Sequence, residues 1–340
     1  MKIKFNFGVW LIGFLLFLGL GVGRPVFAAD TIGSFADFCL KQDQLQPAAQ
    51  LTVSLMLEGS GTQDCQEANE IFSSTAELNF SRAGISDLSP LSGLTNLRVL
   101  YLDVNNISDL SPLASLVNLT SLFLDSNQIS DLTPLQGLQN LTQLSLFNNK
   151  IVDLTPLQSL TQLTKLALYS NQISDISPLQ NLVNLGFLSL SENLISDLTP
   201  LANLKNLTFL SLYGNRISDL SALENLRNLA YLNLHSNQVS DLQPLASLSS
   251  LSSLNLGNNQ VSDVLPLAGL TNLTELILFR NNISNLQGLA SLSNLIYLDL
   301  YSNQITDIEA LIALKNLKLL DLRENPLAEK VCPVAEGCRF

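Results

Sequence analysis

The sequence holds one histidine, His235, four cysteines and an evenly spaced series of aspartates, the residue types most able to do chemistry. His235 has Tyr213 and Gly257 at the equivalent places 22 residues before and after it, and no acid in the neighbouring outward positions. A base without a nucleophile or an orienting acid does not make a triad. No Cys/His set has metal-ligand spacing, and no glycine-rich phosphate loop occurs. Asp87, Asp109, Asp131 and their equivalents form one column. A calcium ladder would draw on a single carboxylate per repeat there, so each Asp is expected to accept local backbone N–H bonds instead. The expectation is a protein that is not an enzyme and carries no cofactor and no metal. Its remaining chemistry lies in rings: Tyr101, Phe123, Phe147, Tyr169, Phe187, Phe209, Tyr213, Tyr231, Phe279, Tyr297 and Tyr301, with His235 among them.

A strict repeat positions those rings. Eleven rows of 22 residues run from Ile85 to Pro326 without an insertion. Seven offsets per row are always Leu, Ile or Val: in the first row Ile85, Leu88, Leu91, Leu94, Leu97, Leu100 and Leu102. An amphipathic helix is excluded, because strict threes drift around a 3.6-residue turn and a proline recurs at Pro90, Pro112, Pro134 and onward. A period of this length with LxxLxLxxN is the leucine-rich repeat signature. Each row forms one coil of a solenoid, and stacking makes one continuous core. The fold class is therefore an α/β solenoid with 12 stacked short parallel strands on its concave face and short helical turns on the convex face. Leu100 and Leu102 point in while Tyr101 points out. The asparagines from Asn105 to Asn325 at one offset should form a buried ladder that satisfies the turning backbone. Ser89-Pro90 and its equivalents suit the cap and first position of a helical turn.

In each segment x-x-L-x-L-x-x-N the five x positions face outward. All eleven aromatics from Ile85 to Pro326, and His235, fall in those slots. Aromatics favour strands, but contiguous exposed rings mark interaction sites, and Tyr is prominent among interface hot spots. Phe147, Tyr169, Tyr213, His235, Phe279 and Tyr301 share one offset; Phe187, Phe209, Tyr231 and Tyr297 share another. The expected function is recognition of a protein or peptide partner on this face. The alternative is a glycan-binding surface or secreted adhesin, since rows of rings also stack on sugars.

Frames such as NQISDLTPLQGLQNLTQLSLF resemble the 22-residue repeats of the internalin group of bacterial surface proteins, over roughly Leu78 to Pro326. The resemblance implies binding of other macromolecules on the concave strand face. Internalins carry a folded extension after the repeats and often a cell-wall anchor; here 14 residues follow Pro326, with neither.

The ends differ from the middle. Residues 1–28 combine two lysines, an apolar run from Phe7 to Val22 and small residues before Ala29, the pattern of a signal peptide. The protein is expected to be secreted or periplasmic, or associated with the cell surface, with no membrane insertion after signal cleavage. Removal of those residues takes the net charge from −12 to −15, which argues against nucleic acid as a partner. Residues 29–77 read as an N-terminal cap, 78–326 as the repeats and 327–340 as a C-terminal cap. In the first cap PAAQLTVSLML and CQEANEIF read as helices separated by EGSG. The cysteines, Cys39, Cys65, Cys332 and Cys338, lie only in the caps. Twelve strands at about 4.8 Å separate the ends by roughly 50 Å, and bonded cysteines need Cα atoms within about 7 Å. If all four are paired, the pairs are Cys39–Cys65 and Cys332–Cys338.

Overall fold

A computed structural model of the chain describes residues 2–4, 33–329, 331, 332 and 337–340. The expected signal-peptide features from Phe7 to Ala29 lie outside the described residues. Strands of two or three residues form one open parallel sheet in chain order, from Lys2–Lys4 at one edge to Cys338–Arg339 at the other. Between those edges stand the twelve repeat strands, from Glu77–Asn79 to Leu319–Asp321. The register is invariant, each residue pairing with its counterpart one row on, as in Leu100 with Leu122 and Leu122 with Leu144. Of the aliphatic positions read from the repeat, all but Ile308 are buried, and they join in one cluster. No coil can bury its aliphatic residues without its neighbours, so stability comes from stacking.

Inside the coil the asparagines do the expected work. Asn127 Nδ2 donates to Leu102 O at 2.9 Å, Leu124 O at 3.0 Å and Asp125 O at 3.2 Å, and its Oδ1 accepts from Ile107 N at 2.9 Å. One side chain thereby satisfies backbone of two successive coils, which the bend would otherwise leave unpaired. A second ladder was not anticipated. Asn118, Asn140 and Asn206 each donate from Nδ2 at 2.9 Å to a backbone carbonyl 23 residues earlier. The convex turns are 3-10 turns, mostly of three residues; the cap position holds Leu88, Leu110 or Leu132, which cannot cap by its side chain, and the Ser or Thr is the first residue of the turn. The corner Asp takes that role: Asp109 Oδ1 accepts from Ser111 N at 2.8 Å, and Asp131 Oδ1 from Thr133 N at 2.8 Å. Bonds from the Thr hydroxyl and then the Thr backbone hold the carboxyls of Asp131, Asp153 and Asp197 below the usual range, and bonds from the Ser221 backbone and hydroxyl do so for Asp219, which offsets the like-charge column.

Three helices stand over the first coil: α1 (Phe35–Leu40), α2 (Pro47–Ser60) and α3 (Cys65–Ser73). The sequence reading contained α2 and α3 but not α1, and α2 runs through Glu58 and Gly59 to end on Gly61 at φ 75. A six-residue helix is too short to show a period. It is started by a capping box between Ser34 and Asp37 and fixed by Phe35 packing edge-on to Phe72 at 5.1 Å. Phe35, Val53, Met56 and Phe72 are fully buried in the same cluster as Leu78 and Phe80. Thr52 Oγ1 donates to Asp87 O at 2.7 Å and ties α2 to the first row. Cys39 is bonded to Cys65, with Cα atoms 5.6 Å apart, and Cys332 to Cys338, at 5.8 Å.

Candidate binding face

Coils are named below by their ladder asparagine. All eleven tyrosines and phenylalanines from the outward slots, and His235, are half-buried. The cause is stacking, since parallel strands in register bring equivalent side chains to one strand spacing. Tyr101 stacks on Phe123 with centroids 4.7 Å apart, and Phe147 on Tyr169 at 4.2 Å. Phe187, Phe209 and Tyr231 form a triple stack at 4.4 Å per step. Tyr213 stacks on His235 at 4.9 Å. Offset stacks of this kind hold rings in place beyond what area burial does.

The rings do not make one strip. Ser191 interrupts their longest column, and so does Gly257. At Gly257 the ring of Phe279 lies so close that a Cβ would sit 2.5 Å from its Cε1. Phe279 leans back through that gap to within 5.1 Å of His235. Tyr297 stands apart from the stacks, its hydroxyl 3.4 Å from Asp299, and Tyr301 lies under the Arg323 guanidinium at 5.4 Å. His235 has both ring nitrogens engaged. Nδ1–H donates to Gly257 O at 2.8 Å, and Nε2 lies within hydrogen-bond distance of Ser236 Oγ at 3.2 Å. The imidazole is thus held in one orientation on the face.

Backbone is fixed from below. Asn233 and Asn255 accept from the N–H two residues on, at 3.0 Å, and Asp299 does the same for Tyr301. The slot just before each ladder asparagine is left-handed in every coil, including Val104 at φ 57 and Ser126 at φ 54. That column is therefore free in side chain but constrained in backbone, and a β-branched residue such as Val104 is uncommon there.

A concavity lies on the face and adjoins the triple stack at Phe187. It spans about 390 Å³ and is walled by Phe123, Phe147, Tyr169 and Phe187, with Ser145 and Ala167 as its floor and Gln143 and Lys165 on its rim. It forms where the middle offset, which holds Tyr101 and Phe123 in earlier coils, changes to small residues. The change shows in the sequence as Tyr101 and Phe123 giving way to Ser145 and Ala167 at one offset. Beside the basin, Asp125 accepts from Phe147 N at 3.1 Å and from Ser145 Oγ. It is only 7% exposed, and burial, with the Asp103 charge adding to it, raises its carboxyl to about 6 against the pull of those bonds. At the far end of the face Asp321 is 6% exposed. Burial pushes it up, but Arg323, donating from Nη2 at 2.6 Å and from Nε at 3.0 Å, brings it below the usual range.

With this geometry in place, the model for the family "Leucine Rich repeats (2 copies)" matches residues 77–115, 117–159, 161–203, 205–247, 227–269, 271–313 and 293–335. This chain belongs to the leucine-rich repeat family. Among solved structures, the leucine-rich repeat protein is similar to an internalin (inlF) from Listeria monocytogenes, 36% identical over 84% of this chain and 84% of that one, with a TM-score of 0.79. An internalin C2 (inlC2) from the same species is 40% identical over 54% of this chain and 82% of that one, at a TM-score of 0.53. The repeat protein is thus internalin-like and bacterial in type. A plant peptide hormone receptor, RGFR1 in complex with RGF2, shares the fold at 21% identity over 82% of this chain and 49% of that one, with a TM-score of 0.60. A search of curated proteins returned no match.

Proposed function

We propose that this internalin-like protein is an exported, non-catalytic binding module that recognises a protein or peptide partner on its aromatic concave face. The observation that carries the reading is the placement of every repeat aromatic in an outward slot, half-buried and for the most part stacked, with four of the rings walling an apolar basin. Rings already held by stacking lose little freedom when a partner covers them. The internalin relatives support a binding scaffold. The plant hormone receptor in complex with RGF2 supports the fold as one that takes such a ligand, with no implication of a shared one. Export is supported by the lysine–apolar–small pattern of residues 1–28 and by two disulfides, which persist in oxidising compartments. The helical residues before the repeats and the disulfide-closed residues after them act as caps over the two exposed coil ends.

The test compares pull-downs by the mature protein and by a variant with Phe187→Ala, Phe209→Ala, Tyr213→Ala and Tyr231→Ala. Surface and secreted extracts are used with and without prior protease. Capture by wild type only, abolished by protease, is the expected result. Capture that survives protease and is lost in the variant would assign the face to a glycan. Equal capture by both proteins would reduce the rings to packing.

A further inference from the structure

The two acidic ends of the concave face are built differently. In the Asn325 coil, Asp321 is followed two residues on by Arg323, which bonds it, and Arg339 lies 4.0 Å from the same carboxylate. In the Asn105 and Asn127 coils the order is ring then acid: Tyr101 before Asp103, and Phe123 before Asp125. The slot that could hold the neutralising side chain holds an aromatic instead. Asp103 accepts from Ser81 Oγ at 2.5 Å, and both bonds to Asp125 enter at Oδ1. Among the described residues no cation is paired with either carboxylate. They occupy the same offset of adjacent strands, at about one strand spacing of 4.8 Å, so the Asp103 charge disfavours that of Asp125. The apolar basin opens immediately beside them, because Ser145 of its floor and Phe147 of its wall are the donors to Asp125.

The geometry points to a composite subsite in which the basin seats one apolar or aromatic side chain of a peptide, and an adjacent Lys or Arg of that peptide lies over Asp103 and Asp125. This rests on the protein-binding reading above and names the partner's chemistry. The basin's volume falls within the range of about 300–1,000 Å³ typical of ligand pockets. Its walls are preorganised by the Phe147–Tyr169 stack. Lys165 on the opposite rim repels a basic residue, so the peptide's polarity is set: cation toward the first coils, apolar anchor toward Ala167. The partner's cation then does for Asp103 and Asp125 what Arg323 does for Asp321 within the chain.

The experiment is selection from a displayed library of random short peptides on the mature protein, followed by affinity measurement on the enriched sequences. Three variants are compared: Ala167→Phe, Asp103→Asn with Asp125→Asn, and the quadruple aromatic variant. Ala167→Phe fills the basin at an offset where Phe123 already carries a ring, so the fold tolerates it; circular dichroism melts check each variant. The expected result is enrichment of peptides with an apolar residue beside Lys or Arg. Ala167→Phe should abolish their binding. The double Asn variant should weaken them about tenfold or more, the scale of one lost charge-assisted contact, while the preference for the apolar residue persists. Enriched peptides without a basic residue, or indifferent to Ala167→Phe and to the double variant, would overturn the subsite; if the quadruple variant still abolished them, the concave-face reading would stand. No enriched peptide, with a polysaccharide bound instead, would overturn both.

Discussion

Asp125 and Asp321 are both nearly buried carboxylates on the concave face, at opposite ends of it, yet their protons respond in opposite directions. The difference is the occupant of one neighbouring slot. Arg323 stands two residues from Asp321 and outweighs the cost of burial. Phe123 stands two residues from Asp125, and burial wins. The scaffold is the same at both ends; the variable slots decide whether a charge is settled within the chain or left without a cation beside it. An unneutralised buried carboxylate is costly to retain, which is why its place beside an apolar basin carries meaning.

The comparison can be broken at several levels. The scaffold should outweigh either face chemistry. Asn127→Ala leaves carbonyls of Leu102 and Leu124 and the N–H of Ile107 without their partner in a buried place, so it should cost about 3 kcal/mol in urea unfolding. Asn325→Ala, at the more exposed last coil, should cost less than half of that. If the two are equal, the ends do not differ in their exposure to water.

Next is the carboxylate. The raised Asp125 carboxyl means that the folded state holds its proton more tightly than the unfolded one. Its contribution favours folding at low pH and is lost as pH climbs from about 4 to about 6. Asp125→Asn keeps an acceptor for Ser145 and Phe147 and should raise stability at neutral pH by about 1–2 kcal/mol after solvent screening. It should also flatten that stretch of the pH–stability curve. A destabilised variant would mean that the carboxylate is already neutralised within the fold. In the middle of the face, Phe209→Ala removes two stacking partners and Tyr101→Ala one. The expected losses are about 1–2 and about 1 kcal/mol, read from thermal melts.

The smallest effect is expected at Arg323, whose guanidinium is largely in water. The lowered Asp321 carboxyl contributes stability that is present above the unfolded carboxylate range and lost as pH falls below it. Arg323→Ala should move the Asp321 titration upward in NMR and remove this acid-side loss. An unmoved titration would show that Arg339 suffices.

The sequence makes the scaffold readable because each core offset is filled eleven times over, so chance is excluded by repetition alone. The asparagine ladder and corner aspartates follow from the same regularity. The second ladder, from Asn118 and its equivalents, is broken at Gln162 and Ser250 and sits beside an aliphatic column that already explains the row. α1 escapes because a six-residue helix shows no period. On the face, the outward slots are legible, but the basin is not. It exists because Ser145 and Ala167 leave space, and the sequence marks side chains more plainly than the gaps between them. The leaning of Phe279 across Gly257 is hidden for the same reason.

The invariant register has a consequence for how the face can be edited. Backbone bonds between coils join residues about one row apart, so the chain behaves as a ruler graduated in whole coils. Excising residues 239–260, the coil that carries Gly257, should rejoin the sheet without a scar and shorten the face by about one strand spacing of 4.8 Å. His235 would then meet Phe279 as a direct neighbour, closing a contact that the intact protein already makes across the missing side chain. Length and pattern of the concave face can thus change by whole notches while the core beneath keeps the same composition.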